Sequence, residues 1–276
     1  MLMYTEFCAK EKTNRLVRAY MCIDESDVAG NFFAPALKNT GLVISVRGNI
    51  KYQTGKSESI PPKASIKGVF DFPYFYSYID NSITSLAADF HPIGMYELTG
   101  KPGIIFKNKF VDANLIWSKS EVEELYLQLS REISFEERSA SFEEFISYKT
   151  PQIISEKGLL VERADDLAKR NEYKCSIRDV AQELGVSEKT MHRAFVEVLG
   201  VAPKQYFSSA LFQEVIRKLA ILKREEITDF ITSPFYDFSH FNKWFKKFTK
   251  VSPKEFINYD LHSVGYALSR LSTDDK

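Results

Sequence analysis

The spacing of apolar positions changes character part-way along this chain of 276 residues. In the first half, apolar residues gather in short runs rich in β-branched and aromatic side chains. Gly41-Leu-Val-Ile-Ser-Val-Arg-Gly48 and Ile50 to Thr54 are two such runs, with a Gly48-Asn49 turn between them. Ser65 to Phe72 and Ser82 to Phe90 are further strand candidates. Pro61-Pro62, Pro73 and Pro92 punctuate the loops. From Lys119 the spacing lengthens. Ser120 to Ser130 carries acids in its first turn and apolar Val122, Leu125, Tyr126 and Leu129 at helical intervals, which predicts a helix. Ser141 to Tyr148 predicts a second, short helix with Phe142, Phe145 and Ile146 inward. Thr150-Pro151 ends it, because proline disfavours helical geometry in the residue before it.

Beyond that break the pattern is helical throughout, and it repeats. At an offset of 50 residues Ile177 matches Ile227, Asp179 matches Asp229, Phe195 matches Phe245, Val201 matches Val251, and Pro203-Lys204 matches Pro253-Lys254. Two copies are too few for a solenoid. They predict one small helical unit used twice.

In the first copy Ser176 caps Ile177 to Leu184, whose Ile177, Val180, Ala181 and Leu184 form one apolar stripe. Gly185 follows, where a left-handed residue turns the chain. Ser187 then caps a second helix with Met191, Ala194, Phe195, Val198 and Leu199 inward. Its outer face carries Glu188, Lys189, His192 and Arg193. Helix, tight turn, and capped helix with long polar side chains outward describe a helix-turn-helix. The second copy runs from Ile227 to Phe248. Phe241, Trp244, Phe245 and Phe248 are on its apolar side, Asp237 is at the cap, and Ser239, His240, Asn242, Lys243, Lys246 and Lys247 are polar. Between the copies, Tyr206 to Lys223 predicts a linker helix of 18 residues, roughly 27 Å. That length suits two recognition helices about one DNA turn apart, roughly 34 Å. The predicted fold is an α+β N-terminal domain (1–150), a linker (151–163), an all-α domain with two helix-turn-helix units joined by a long helix (164–260), and a tail (261–276).

Residues 160 to 258 resemble the DNA-binding domain of the AraC/XylS family of bacterial transcription regulators. The resemblance is carried by Ile177 to Phe195, Gly200-Val-Ala-Pro203, Phe235, Ser239-His-Phe241, Phe245-Lys-Lys247 and Val251-Ser-Pro-Lys-Glu-Phe256. Residues 90–117 resemble the sensor-side domain of one branch of these regulators. Two positions depart from the pattern: Ser233-Pro234-Phe235 stands where a Gly-Phe pair is usual, and Leu211 where Arg is frequent. The resemblance implies a cytoplasmic activator-type regulator. Its partners would be double-stranded DNA, RNA polymerase and a small-molecule effector at the N-terminal domain, with the chain a monomer or a homodimer.

Charge agrees once it is read locally. Lysine plus arginine and aspartate plus glutamate both total 37, a net charge of zero. Residues 1–163 hold 19 basic and 21 acidic residues, net −2, leaving 37 − 19 = 18 basic and 37 − 21 = 16 acidic for 164–276, net +2. Within 240–254 there are five lysines and no acid. A local basic face is what matters to a polyanion.

The expected DNA-binding residues are therefore Glu188, Lys189, His192 and Arg193 in the first unit, and Ser239, His240, Lys243, Lys246 and Lys247 in the second. Alone, either set would read as an ordinary solvated helix face. Repetition in two matched units favours base contact from Lys189, His192 and Arg193, and phosphate contact from Lys246 and Lys247. Trp244 is assigned to the core, His91 to a structural role, Cys175 to a buried thiol, and Phe72 to Tyr78 to an aromatic core. Three cysteines (Cys8, Cys22 and Cys175) without a CxxC, and four histidines without HxxxH, offer no metal or disulfide framework. No run of 18 apolar residues suggests a membrane span. No catalytic residue, metal or cofactor is expected. Two further readings stay open at this level: an effector-binding enzyme with a helical regulatory domain, and a partner-binding protein whose helix-turn-helix units do not touch DNA.

Overall fold

The computed structural model describes residues 3–26, 31–36, 38–54, 57–131, 134–221 and 238–258. Its N-terminal half contains strands β1 (Met3–Cys8), β2 (Val17–Ser26), β3 (Asn31–Ala34), β4 (Thr40–Arg47), β5 (Ile50–Thr54), β6 (Ser57–Ser59), β7 (Ala64–Lys67), β8 (Tyr74–Tyr78), β9 (Ser82–Phe90) and β10 (Phe110–Asp112). They form two antiparallel sheets. A six-stranded sheet has the order β1-β2-β9-β4-β7-β10, and a four-stranded sheet the order β3-β8-β5-β6.

The predicted strands at 41–48, 50–54 and 82–90 are present, but the first two do not pair with each other. β4 lies in the large sheet and β5 in the small one. A register shift between Ser45 and Arg47, followed by the Gly48-Asn49 turn, bends the chain from one sheet to the other. The strand expected over 65–72 ends at Lys67.

Alternation along the large sheet separates two faces. Leu42 and Ile44, Tyr20 and Cys22, and Leu86 and Ala88 belong to a core beneath helices. Val43 and Ser45, Ile23 and Ser85 look instead into the space between the sheets. The helices over the outer face are α1 (Gly94–Thr99), α2 (Lys119–Leu129) and α3 (Phe135–Lys149). Helices α2 and α3 each start with a capping box, Ser118 with Glu121 and Ser134 with Glu137. The helix expected from Ser141 thus begins six residues earlier, at Phe135, because Ser134 supplies the cap.

The C-terminal region holds α4 (Glu156–Arg170), α5 (Ile177–Glu183), α6 (Glu188–Leu199), α7 (Pro203–Ile221), α8 (Phe238–Thr249) and α9 (Pro253–Asn258). Helix α4 starts inside the segment 151–163 that the sequence presents as a linker, capped by Ser155. The chain is therefore a sheet-rich N-terminal domain followed by a helical region. One buried cluster runs unbroken from Tyr20, Leu42 and Phe142 through Val161 to Phe195, Leu199 and Tyr206, so the two regions share a core. A second, smaller cluster surrounds α8. Among the described residues no helix is long and apolar enough to cross a membrane.

Candidate nucleic-acid interface

The first helix-turn-helix forms as its sequence dictates. The Ser176 hydroxyl accepts from the Asp179 amide at 3.1 Å and opens α5. Gly185, with φ +67°, takes the left-handed geometry that non-glycine residues avoid, and Val186 N–H reaches back to the Ala181 carbonyl at 3.0 Å. Ser187 then accepts from Thr190 N–H at 3.0 Å and starts α6. A cap of this kind is worth about 1 kcal/mol.

The inward face of α6 is Met191, Ala194, Phe195, Val198 and Leu199, all buried. Glu188, Lys189, His192 and Arg193 are all exposed on the other side, as is Thr190, which the sequence set omits although its position beside Lys189 could have suggested it. The N-terminal half of α6 is open to solvent. Its C-terminal end is covered by the N-terminal domain: a Cβ added to Gly103 would lie 2.3 Å from the Gly200 nitrogen and the Leu199 carbonyl carbon, so two backbones touch here.

In the second unit, α8 begins 238 − 188 = 50 residues after α6, and both helices are 12 residues long. Phe195 and Phe245 are both fully buried. The repeat extends to the backbone that follows each helix. Gly200 has φ +76° and Lys250 has φ +64°, and each is followed by a helix starting at a proline. Ser239, His240, Lys243, Lys246 and Lys247 are exposed. Phe241, Phe245 and Phe248 are buried against α7, where Phe212 stacks on Phe248 at 4.7 Å. Trp244 is half-buried, and its indole N–H donates to the Ser208 hydroxyl at 3.0 Å, as a packing residue would. The first helix of this unit, including Ile227, Asp229, Pro234 and the Asp237 cap, lies outside the described residues, as does the tail 261–276.

A different kind of site sits between the sheets. Ile23, Val43, Ile50, Tyr52, Tyr74, Tyr76, Tyr78 and Phe110 line a cavity of about 110 Å³, with Lys63, Lys67, Ser45 and Ser85 among its polar groups. The segment 72–78, read from sequence as aromatic core, packs Phe72, Tyr74 and Tyr76 in a cluster around Phe70 and also forms one wall of the cavity. Tyrosines project from the small sheet, but the large sheet opposes them with serine and valine, which leaves space. Lys67 is buried and donates to the Asn39 carbonyl at 3.0 Å. Cys22 is buried and Cys175 is half-buried; burial raises both thiols above their ordinary pKa. His91 donates its backbone N–H to the Leu16 carbonyl at 2.9 Å.

Residues 176–199 thus form a capped helix-turn-helix, and α8 repeats the two-sided pattern of α6 against the same linker helix. Residues 180–259 match the family model of a helix-turn-helix domain. Among solved structures, the chain is similar to ToxT from Vibrio cholerae, at 16% identity over 86% of this chain and 97% of that one, with a TM-score of 0.47. An unsaturated fatty acid-bound ToxT from the same species matches at 16% identity over 86% and 94%, TM-score 0.46. The AraC-like transcriptional activator CuxR matches at 15% identity over 72% and 78%, TM-score 0.31. No curated protein matches the chain. The family match places a helix-turn-helix domain over residues 180–259, 80 of the 276 residues of the chain.

Proposed function

We propose that the chain binds specific duplex sites by placing α6 and α8 in successive major grooves. Lys189, His192 and Arg193 read base edges, and Glu188 lies beside them on the same outer face. Ser239, His240 and Lys243 do the same in the second unit, and Lys246 and Lys247 hold phosphates. The observation that carries this reading is the two-sidedness of α6: five apolar side chains are buried on one face while Glu188, Lys189, His192 and Arg193 are all exposed on the other. A buried face fixes the helix angle, and exposed long donors reach base edges.

The domain limits that go with it are 1–150 for the N-terminal domain and 164–260 for the DNA-binding domain. The inter-sheet cavity is the place for a small effector. Its aromatic walls and buried Lys67 suit a compact apolar molecule with an anionic or hydrogen-bond-accepting end. RNA polymerase and a second copy of the chain are the further partners of this reading, in the cytoplasm.

The test uses a duplex selected from a random pool by the full-length protein. Arg193→Ala is expected to weaken binding to that duplex by about 1–3 kcal/mol, roughly fivefold or more, and to relax base preference at one position. Lys246→Ala is expected to weaken all duplexes alike and to lower the salt slope by about one. Unchanged affinity and unchanged base preference in Arg193→Ala would overturn the assignment.

A further inference from the structure

The short edge strand β3 has two faces, and they look into different parts of the molecule. Its pairing with β8 sets Ala34 opposite Tyr74 and Phe33 opposite Phe75, so these two pairs point to opposite sides of the sheet. Ala34 packs with Phe70 and Tyr74, on the side of the cavity. Phe33 points away from it and enters the buried cluster of the second helix-turn-helix, with Phe212, Phe241, Phe245, Phe248 and Phe256. Its ring lies 5.4 Å from Phe75 and 6.2 Å from Phe256, edge-on to both. Just beyond the strand, Ala36 is fully buried and its N–H donates to the Phe248 carbonyl at 3.4 Å. The last residue of α8's apolar face is thus held by the N-terminal domain.

The far end of the same segment is anchored twice. The Lys38 ammonium donates to the Tyr173 hydroxyl at 2.8 Å and lies over the Tyr173 and Tyr206 rings, which fixes it to the end of α4 and the start of α7. The Asn39 side chain accepts from Gln213 of α7 at 2.6 Å, and its carbonyl accepts from the cavity-lining Lys67. The first helix-turn-helix is gripped elsewhere, through the Gly103–Gly200 backbone contact at the end of α6.

We infer that residues 31–36, 38 and 39 form a strap coupling the inter-sheet cavity more directly to the second helix-turn-helix than to the first. A molecule entering the cavity meets Tyr74 and Tyr76 of β8, the strand that β3 is paired with, and its accepting end competes with the Asn39 carbonyl for Lys67. Either event shifts the seat of Phe33 and the hold on Phe248. The placement of α8 then changes relative to α6, and with it the spacing of half-sites the protein accepts. The inference rests on the cavity being an effector site, and it supplies the regulation of that site. It needs no DNA to be tested.

The experiment is hydrogen exchange on the full-length chain without DNA, comparing peptides from 238–256 with peptides from 188–199. Phe33→Ala removes the outer contact, and Ser85→Leu fills part of the cavity. Each is expected to speed exchange in 238–256 by about tenfold while 188–199 stays as in the unaltered protein. The double variant is expected to add little to Phe33→Ala, since both act through one path. Lys67→Met, which keeps the chain length but drops the ammonium, gives the same pattern and serves if Ser85→Leu does not fold. Additive effects overturn the strap, and so does unchanged exchange in 238–256 for a folded cavity variant. So does equal loosening of both units. Separately, calorimetric titration with a panel of small aromatic acids and alcohols tests the cavity as a ligand site. Coupling without any ligand leaves the strap standing and removes the effector. A ligand that binds without moving 238–256 does the reverse.

Discussion

The two helix-turn-helix units share a sequence pattern, but they are built into the molecule differently. Helix α6 of the first packs into the core that begins under the large sheet, and its last turn touches the N-terminal domain backbone to backbone. Among the described residues, the second has its own cluster of nine buried residues, six of them phenylalanine, and of these Phe33 and Ala36 come from the N-terminal domain. A repeat at the level of sequence thus yields one unit continuous with the sensor side and one joined through a linker helix and a strap. Unit identity is local, whereas cooperativity depends on which neighbours share the core.

The sharpest way to break this contrast is to compare Phe195→Ala with Phe245→Ala. Both rings are fully buried, and each deletion is expected to cost about 3–5 kcal/mol. In scanning calorimetry, Phe195→Ala should lower the unfolding of the whole chain as one transition. Phe245→Ala should split off an early transition belonging to the second unit. Identical single transitions for the two variants would show that the units are not unequal.

Gly103→Ala probes the rigid side. The added methyl meets backbone rather than flexible side-chain ends, so the domains must separate locally. A loss of about 1–3 kcal/mol is expected in urea unfolding, with the affinity of the second unit for phosphates unchanged. A neutral substitution would mean that the two backbones are free to part.

The smallest effect concerns pH. Burial alone would raise the Asp71 carboxyl, but hydrogen bonds from Lys107, Gln205 and Asn108 outweigh it and hold the pKa below the ordinary value. Gln205 belongs to α7, at 2.8 Å, so this carboxylate ties the N-terminal domain to the linker helix. A depressed folded pKa stabilises the protein above the unfolded value of about 3.9, and that contribution is lost as pH falls through the folded value. Asp71→Asn should therefore flatten the stability profile below pH ~4 and leave its shape near neutrality unaltered, read by denaturant midpoints across that range.

The helical units were legible in the sequence because their signals are local. Ser176, Ser187 and Gly185 act on residues within one turn, and the spacing of Met191, Ala194, Phe195 and Val198 needs no partner to be read. The outward set from Glu188 to Arg193 follows from the same periodicity. The sheets were harder. Runs 41–48 and 50–54 read as strands, yet nothing in them reveals that the turn between them changes sheet. Helix α4 starts at Glu156, inside the stretch 151–163 assigned to a linker, because Ser155 supplies its cap. The cavity was illegible for a separate reason. Alternating aromatics at 72–78 look the same whether they fill a core or wall a space, and the difference lies in Ser45 and Ser85 on another sheet.

The contact between Gly103 and Gly200 has a consequence for chimaeras. Transplanting the DNA-binding domain alone onto another sensor would bring Gly200 against whatever residue replaces Gly103, and any side chain there collides with main chain. A transplant that keeps this contact must therefore carry Gly103 along with the DNA-binding domain, although Gly103 belongs by sequence to the N-terminal half.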